Sequence, residues 1–243
     1  MKKSIITAAI ITATTFVANA SSKSFDGAYL GAQAGFVKSH TKTAITQETY
    51  KANLATRYAN PGSARNNTTG FLFGTYFGYG RTFNGNSNGA LYFGGEGSLL
   101  GDTLNRTTTT NLTETTGTNT FKNTTKFKRG LVFGFAPRLG YVFGENLVYV
   151  KPGIEISRDR VEIDSTETSN NAHIGSHNKT KMNVVFAPAF GYERALGKVL
   201  VRAEYTYNLG KKVSVVQSDS TLGELGTASY QDHRFVIGAA YKF

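Results

Sequence analysis

Two histidines, His173 and His177, lie four residues apart, a spacing that places both side chains on one face of a helix. Such a pair could hold a metal ion if a third ligand stood nearby. The surrounding residues, 169–178, are mainly Ser, Asn and His, are interpreted as a loop and supply no further ligand. We therefore predict no metal site here, and we expect the protein to work without a cofactor.

A second candidate for chemistry lies near the C-terminus, where Ser229, Asp232 and His233 are close in sequence. A serine nucleophile needs a base and an acid within hydrogen-bonding reach. Closeness in sequence does not supply that geometry, because such groups are brought together by the fold from separate elements. We therefore predict that the protein is not an enzyme.

The elements that would position any such residues are predicted to be strands. In residues 234–243, Phe235, Ile237 and Tyr241 occupy alternate positions, which is the period of a strand. Seven other segments rich in Gly, Phe, Tyr and Val have the same period. Each is long enough for a tilted membrane strand, which needs about 9–11 residues. The eight segments are residues 27–38, 70–83, 90–101, 129–143, 147–158, 181–194, 198–208 and 233–243.

The connections between these segments alternate between short and long. Residues 84–89, 144–146 and 195–197 are short turns rich in Gly and Asn or other small residues. The long connections are residues 39–69, 102–128, 159–180 and 209–232. Three short turns at one end and four long loops at the other are typical of an up-and-down barrel. The threonines between Thr107 and Thr125 are expected either to be displayed at the surface or to extend the strands.

Large apolar side chains and small residues occupy opposite faces of the predicted strands. In the fourth segment Leu131, Phe133 and Phe135 share one parity, whereas Gly134 and Arg138 share the other. The interior of a barrel of eight strands is only wide enough for its own side chains. The bulky residues must therefore face outward into lipid. This orientation argues against a soluble barrel, which would have its large apolar side chains inside and polar groups outside. Pro137 and Pro188 would each remove a ladder donor, so a bulge or kink is expected at both.

The inward parity carries a set of charged residues. Charges enclosed in a narrow barrel are costly unless they are paired, so we expect them to form a network. Two interpretations remain open: a plug that seals the lumen, or the lining of a small gated pore. The predicted lumen network consists of Glu96, Arg138, Lys151, Glu155, Arg202, Glu204 and Arg234.

Four tyrosines have the outward parity near one end of the predicted barrel. Tyr79, Tyr141, Tyr192 and Tyr241 are predicted to form a lipid-facing aromatic girdle at the level of the headgroups. The first long connection is basic, and it could contact anionic lipopolysaccharide or host polysaccharide. Its basic residues are Lys38, Lys42, Lys51, Arg57 and Arg65.

The N-terminus has the pattern of a secretory signal peptide. Lys2 and Lys3 precede a short apolar run, and Ala18, Asn19 and Ala20 give the small-residue pattern of a cleavage site. The predicted organisation is therefore a signal peptide, residues 1–20, followed by one domain, residues 21–243. The formal net charge of +11 would suit nucleic acid, but no recognition motif accompanies it and export removes the chain from nucleic acid.

These features resemble the small outer-membrane β-barrel proteins of Gram-negative bacteria. The first strand, from Gly27 to Gly35, and the final Ala-Tyr-Lys-Phe carry the resemblance, which covers the whole mature chain. The group includes surface antigens, haemin-binding proteins, opacity-type proteins of the porin family and the barrel half of outer-membrane protein A. In it, a terminal aromatic such as Phe243, with Tyr241 two residues before it, is the signal read by the barrel assembly machinery.

The resemblance implies an eight-stranded antiparallel up-and-down transmembrane β-barrel with four long extracellular loops and three short periplasmic turns. It implies insertion in the cell outer membrane, in contact with outer-membrane lipid and lipopolysaccharide, after the signal peptide is cleaved. The expected function is membrane structure, adhesion or antigen display, with a host or other extracellular ligand bound at the loops. The alternatives are a small porin-like channel for small solutes and haemin binding at the loops.

Overall fold

The computed structural model describes residues 22–45, 48–52, 55–59, 62–86, 89–104, 106–113, 120–168, 173–210, 212–216 and 224–243. The predicted signal peptide, residues 1–20, lies outside these ranges. In the described part of the chain, no helix has the length and apolar character needed to cross a membrane. Apart from one 3-10 turn, Ser22–Phe25, the described secondary structure consists of β-strands.

Most strands of the wall are long, and several extend far beyond a membrane-spanning length. Their bounds are β1 (Gly27–Ile45), β2 (Glu48–Ala52), β3 (Ala55–Ala59), β4 (Gly62–Asn86), β5 (Gly89–Asp102), β6 (Arg106–Thr113), β7 (Thr120–Phe143), β8 (Asn146–Glu167), β9 (His173–Leu196), β10 (Val199–Asn208), β11 (Lys212–Val216) and β12 (Glu224–Lys242).

Eight strand positions close into a ring. Each strand pairs antiparallel with the next in the order β1, β4, β5, β7, β8, β9, β10 and β12. β12 then pairs back with β1, from Tyr29↔Lys242 to Ile45↔Gly226. β6 continues the position of β5 by pairing with β7, and β11 continues that of β10 by pairing with β12. The predicted all-β, eight-stranded antiparallel barrel is confirmed.

Much of what the sequence assigns to long connections continues the strands. β1 and β4 remain in register from Gly27↔Gly80 to Ile45↔Gly62, well past the predicted ends of both. The hairpin of β2 and β3 lies between them in sequence. His173 and His177 belong to β9 rather than to a loop, which corrects the prediction for residues 169–178. Threonine is β-branched and favours extended backbone, so polar Thr-rich stretches extend the sheet.

The short turns lie at one end of the barrel, which we call the turn rim; the opposite end is the loop rim. Gly144 and Gly197 have φ values of 59° and 65°, a conformation that residues with a Cβ adopt reluctantly. Both glycines stand in two-residue turns, at 144–145 and 197–198. At the third predicted turn, β4 ends at Asn86 and β5 begins at Gly89, and residues 87–88 lie outside the description.

Of the bulge or kink predicted at Pro137 and Pro188, a bulge is absent at both, because neither proline coincides with a register shift. β8 and β9 keep one register through the pair Pro152↔Pro188. The pairing of β7 with β8 is interrupted between Phe135↔Ile154 and Leu139↔Val150, but it resumes in the same register. The register shift of β7 lies instead between Arg129 and Val132. A residue of an antiparallel strand bonds to one neighbour only, so a proline removes ladder bonds without changing the register.

Apolar residues cover the outside of the barrel, and polar residues lie within it. Large outward side chains are exposed along every wall strand, among them Phe36, Phe71 and Phe235 towards the loop rim and Tyr79 towards the turn rim. We call the surface between these levels the apolar belt. The alternate positions of the same strands are buried and include many charged side chains. The apolar exterior is suited to contact with lipid, and the charged side chains of the interior must pair with one another.

Candidate functional site

The inward face of the strands is the candidate site, and glycine makes room for its large side chains. Tyr29 lies opposite Gly78, and Tyr149 lies opposite Gly191. A Cβ on either glycine would collide with the ring of the opposing tyrosine. The inward glycines therefore allow tyrosines to lie flat across a barrel that is too narrow for two large residues at one level.

An apolar layer closes the turn rim. The 3-10 turn places Phe25 inside the barrel, where its ring meets the edge of Tyr92 at a centroid distance of 6.5 Å. Leu147 and Leu200 are completely or almost completely buried in the same layer. Its members are Phe25, Tyr29, Tyr76, Ala90, Tyr92, Val142, Leu147, Tyr149, Ala195, Leu200 and Ala240.

A charged layer lies directly above, and we call it the lower charge layer. Its members are Glu96, Arg138, Lys151, Glu193, Arg202 and Glu204. Glu96 accepts hydrogen bonds from Lys151 at 2.7 Å and from Arg202 at 2.6 Å. Lys151 also lies 2.7 Å from Glu204, and Arg138 donates to Glu193 at 3.1 Å. Three glutamates and three basic residues make the layer formally neutral.

Aromatic rings support the cations of this layer. Arg202 lies 3.3 Å from the centre of the Tyr76 ring, and Arg138 lies 3.9 Å from that of Tyr149. Tyr149 donates a hydrogen bond to Glu204 at 2.9 Å, and Arg138 donates one to the Tyr29 hydroxyl at 2.8 Å. Each charge of the layer thus has an opposite charge as partner, and Arg138, Arg202, Glu96 and Glu204 also contact a tyrosine ring or hydroxyl. These contacts offset the cost of burying the charges.

Glu193 is a member that the sequence interpretation missed. It is buried and it is the hydrogen-bond partner of Arg138 at 3.1 Å. Its position two residues after inward Gly191 was the available signal, because residues i and i+2 of a strand share a face.

A third group lies nearer the loop rim. Arg234 donates to Glu155 at 2.7 Å, and Asn208 donates to the same carboxylate at 2.9 Å. A cavity of about 40 Å³ lies beside Arg234 and Glu155 and reaches Lys151 in the lower charge layer. Arg234 Nε has no hydrogen-bond partner among the described residues. A polar cavity of this size accommodates about two or three water molecules.

A second charged layer lies above the apolar belt, and we call it the upper charge layer. It consists of Asp102, Arg106, Arg129, Asp159 and Asp232. Asp232 is its centre, 2.8 Å from Arg129 and 3.4 Å from Arg106. The sequence interpretation did not include these residues in the network, because it placed most of them at or beyond the ends of the strands. Their alternation becomes informative only once the strands are known to extend.

The arginines determine the ionisation of Asp232. Burial works to raise the pKa of this carboxyl, but Arg129, Arg106 and Arg234 outweigh burial and lower the pKa to about 2. Burial also raises the pKa of the neighbouring Tyr230, whose ring packs against Arg129 at 4.5 Å. The upper charge layer therefore holds Asp232 ionised over the whole neutral and mildly acidic range.

The residues considered for catalysis do not converge on one site. Asp232 points inward, whereas His233 points outward and its Nδ1 lies 2.7 Å from the Tyr205 hydroxyl. The positions of the His173 and His177 side chains are outside the description. Among the described side chains, no group of three His, Asp or Glu residues is arranged to hold a metal ion.

The four tyrosines of the predicted girdle all point outward near the turn rim. Tyr79, Tyr141, Tyr192 and Tyr241 are exposed, and the Tyr192 hydroxyl donates to Asn146 at 2.5 Å. Phe243 packs against Tyr241 with the ring centres 5.4 Å apart. Its amide donates to the Ala28 carbonyl at 3.0 Å, so the C-terminal residue adjoins the start of β1.

A family profile matches almost the whole sequence. The family is described as the outer membrane protein beta-barrel domain, and the match covers residues 6–243. The chain belongs to this family. The family places the protein in the bacterial outer membrane, in agreement with the apolar exterior of the barrel. Comparison with curated proteins finds no match.

Several solved structures are similar to this barrel. Neisserial surface protein A (NspA) is 15% identical, with a TM-score of 0.41 over 90% of this chain and 98% of that chain. OprG from Pseudomonas aeruginosa is 16% identical, with a TM-score of 0.37 over 90% and 96%. The outer membrane protease OmpT from Escherichia coli is 9% identical, with a TM-score of 0.40 over 90% and 97%.

Proposed function

We propose that this protein is a non-conducting, non-enzymatic barrel that displays its loop rim at the bacterial surface for adhesion or as an antigen. The observation that carries the proposal is the closure of the interior. Arg138, Tyr149 and Leu147 are at most 1% exposed, and they lie in two successive layers across the barrel. An open channel would expose the side chains that line it. The side chains of the interior therefore act as a plug, and the loop rim is the part of the barrel that remains available for a function.

The orientation of the barrel follows from the lengths of its connections. Outer-membrane barrels place short turns in the periplasm and long connections outside. In this orientation, the girdle tyrosines lie at the periplasmic interface and the strand extensions project from the cell. A signal peptide cleaved after Ala20 delivers the chain, and the assembly machinery reads Phe243 and Tyr241 at its C-terminus. The extracellular connections are then the surface available to a host or other ligand.

A porin-like channel is the alternative, and the polar cavity beside Arg234 and Glu155 is the observation that favours it. For conduction, a path would have to open through both the lower charge layer and the apolar layer of Phe25 and Leu147. The first test is the conductance of the purified barrel in a planar bilayer, with heat-shifted gel mobility as the control for folding. We expect no stable current steps. Reproducible steps in the folded protein would favour the channel.

The surface role is tested by removing the first extracellular hairpin. We expect a variant in which Asn-Gly replaces residues 46–61 to remain folded, because β1 and β4 pair directly up to Ile45↔Gly62. Cells displaying this variant should adhere less well to host cells or matrix than cells displaying equal amounts of the intact protein. Analogous replacements of the other extracellular connections complete the series. Unchanged adhesion throughout the series would contradict the surface proposal.

A further inference from the structure

A basic cluster borders the apolar belt on one side of the barrel. Lys38 and Lys42 lie on the outward face of β1, and Arg65 lies on that of β4. All three side chains are exposed, and we call them the basic patch. The belt ends just below, at Phe36 and Phe71, whose exposed rings are 5.2 Å apart.

Like charges meet directly across two strands in this patch. Lys42 is the register partner of Arg65. Two like charges in opposing positions of a sheet destabilise it unless an anion lies between them. None of the three forms an ion pair with another residue in the described part of the chain. The outward neighbours at this level on β1, β4 and β12 are neutral or basic: His40, Asn67, Thr69, Ser229, Gln231 and His233.

The opposite side of the barrel differs. On the outward faces of β7 and β8, Lys126 lies 3.3 Å from Asp164 and Lys128 lies 3.5 Å from Glu162. Arg160 lies 3.0 Å from the same Glu162. On β7 and β8, Lys126, Lys128 and Arg160 therefore share two carboxylates, and Arg158 is outward and exposed without a described ion pair. On β1 and β4, none of the three basic side chains has a described carboxylate. The unbalanced charge lies beside the exposed phenylalanines.

We propose that the basic patch binds the phosphate groups of a phosphorylated glycolipid in the outer leaflet, with the acyl chains against Phe36, Phe71 and Phe235. Lys38 lies two residues beyond Phe36, about 7 Å along the strand, which is the level of the headgroups. Lysine stems extend along apolar surface to reach such groups, and an arginine fork matches phosphate oxygens. A soluble polyanion would use the charges but not the adjoining rings. The inference rests on the orientation given under the proposed function.

The test compares two triple variants, each of which removes three positive charges from outward positions above the apolar belt. Lys38→Gln, Lys42→Gln and Arg65→Gln remove the basic patch, whereas K126Q/K128Q/R160Q removes the paired cations of β7 and β8. Each purified protein is titrated with diphosphorylated lipid A in a neutral detergent and followed by native mass spectrometry, after its heat-shifted mobility has confirmed folding. We expect the patch variant to bind roughly tenfold or more weakly and the control to bind within about twofold of the intact protein.

Further experiments distinguish a lipid phosphate from a free phosphate ion or a soluble polyanion as the ligand of the patch. We expect Phe36→Ala with Phe71→Ala to weaken lipid A binding severalfold, and millimolar inorganic phosphate to displace little of the lipid. Displacement by phosphate as effective as that by lipid A would overturn the lipid site in favour of a simple anion site. Equal weakening in both triple variants, or no weakening in the patch variant, would also overturn it. So would loss of dextran sulfate binding in the patch variant with lipid A binding unchanged. The conductance test does not involve this surface, so failure of the lipid site can be distinguished from failure of the proposed non-conducting interior.

Discussion

At the scale of single residues, Asp232 holds the loop-rim part of the barrel together. It faces Arg129, Arg106 and Arg234, so its removal leaves buried cations without their shared anion. We expect Asp232→Asn to lower the free energy of unfolding by about 3–5 kcal/mol, as is usual when one partner of a buried ion pair is lost. Urea unfolding in lipid vesicles, followed by circular dichroism because the chain contains no Trp, measures this change.

The same carboxyl also gives a pH dependence. Its pKa in the folded protein, about 2, lies below the ordinary 3.8, so its ionisation stabilises the fold at higher pH. This stabilisation of about 2 kcal/mol is complete above about pH 4 and is lost as the pH falls towards 2. The intact protein should therefore lose more stability across this window than Asp232→Asn. Parallel pH profiles would contradict the assignment.

Arg138 and Glu193 provide a second residue-scale test, in the lower charge layer. Arg138→Met leaves Glu193 buried without its hydrogen-bond partner, and we expect a loss of about 3–5 kcal/mol. The double variant R138M/E193M should recover part of that loss, because replacing a whole buried pair by apolar residues costs less than breaking it. Urea unfolding of the two single variants and the double variant completes the cycle. Additive losses would show that the two side chains do not act as a pair.

At the scale of elements, the inward glycines and tyrosines explain how neighbouring strands fit. Gly191→Val places a branched side chain against the Tyr149 ring, and we expect the folded band in a heat-shift gel to disappear or to melt at a clearly lower temperature. Gly95→Val is the matched control, because no atom lies within 4 Å of the position of its Cβ. Equal effects would show that strand propensity, and not contact with tyrosine, sets the requirement for glycine.

The strands also show what the sequence can and cannot specify. Alternation in segments such as residues 129–143 was sufficient to predict the number of wall strands and the face that meets lipid. Alternation of apolar and polar residues cannot be recognised in Thr-rich and Asn-rich stretches, where both faces are polar. The sequence therefore predicts that β8 ends at Arg158, whereas the strand continues to Glu167. Contacts such as that of Arg129 with Asp232, residues 103 positions apart, depend on the closure of the ring and have no local signal.

At the scale of the whole molecule, closure of the ring can be tested separately from the proposed assembly signal at Phe243. Phe243 is 71% exposed, and the hydrogen bond from its amide to Ala28 does not need the side chain. We expect Phe243→Ser to refold in detergent with nearly unchanged thermal stability but to reach the outer membrane of cells in severalfold lower amounts. Gel mobility of the refolded protein and immunoblots of isolated membranes measure the two quantities. A matching loss of both would assign Phe243 to the fold rather than to delivery.

The alternation of apolar and polar side chains has a consequence before the barrel exists. Because the outward apolar residues alternate with inward residues, many of which are small or polar, the mean hydropathy of the whole sequence is only −0.27. A chain of this average does not present the long apolar run that would arrest it in the inner membrane during secretion. It can cross an aqueous compartment unfolded, and it becomes a membrane protein only when pairing sorts its two faces. The continuous apolar surface that makes the barrel insoluble in water exists only in the folded protein and not in the unfolded chain.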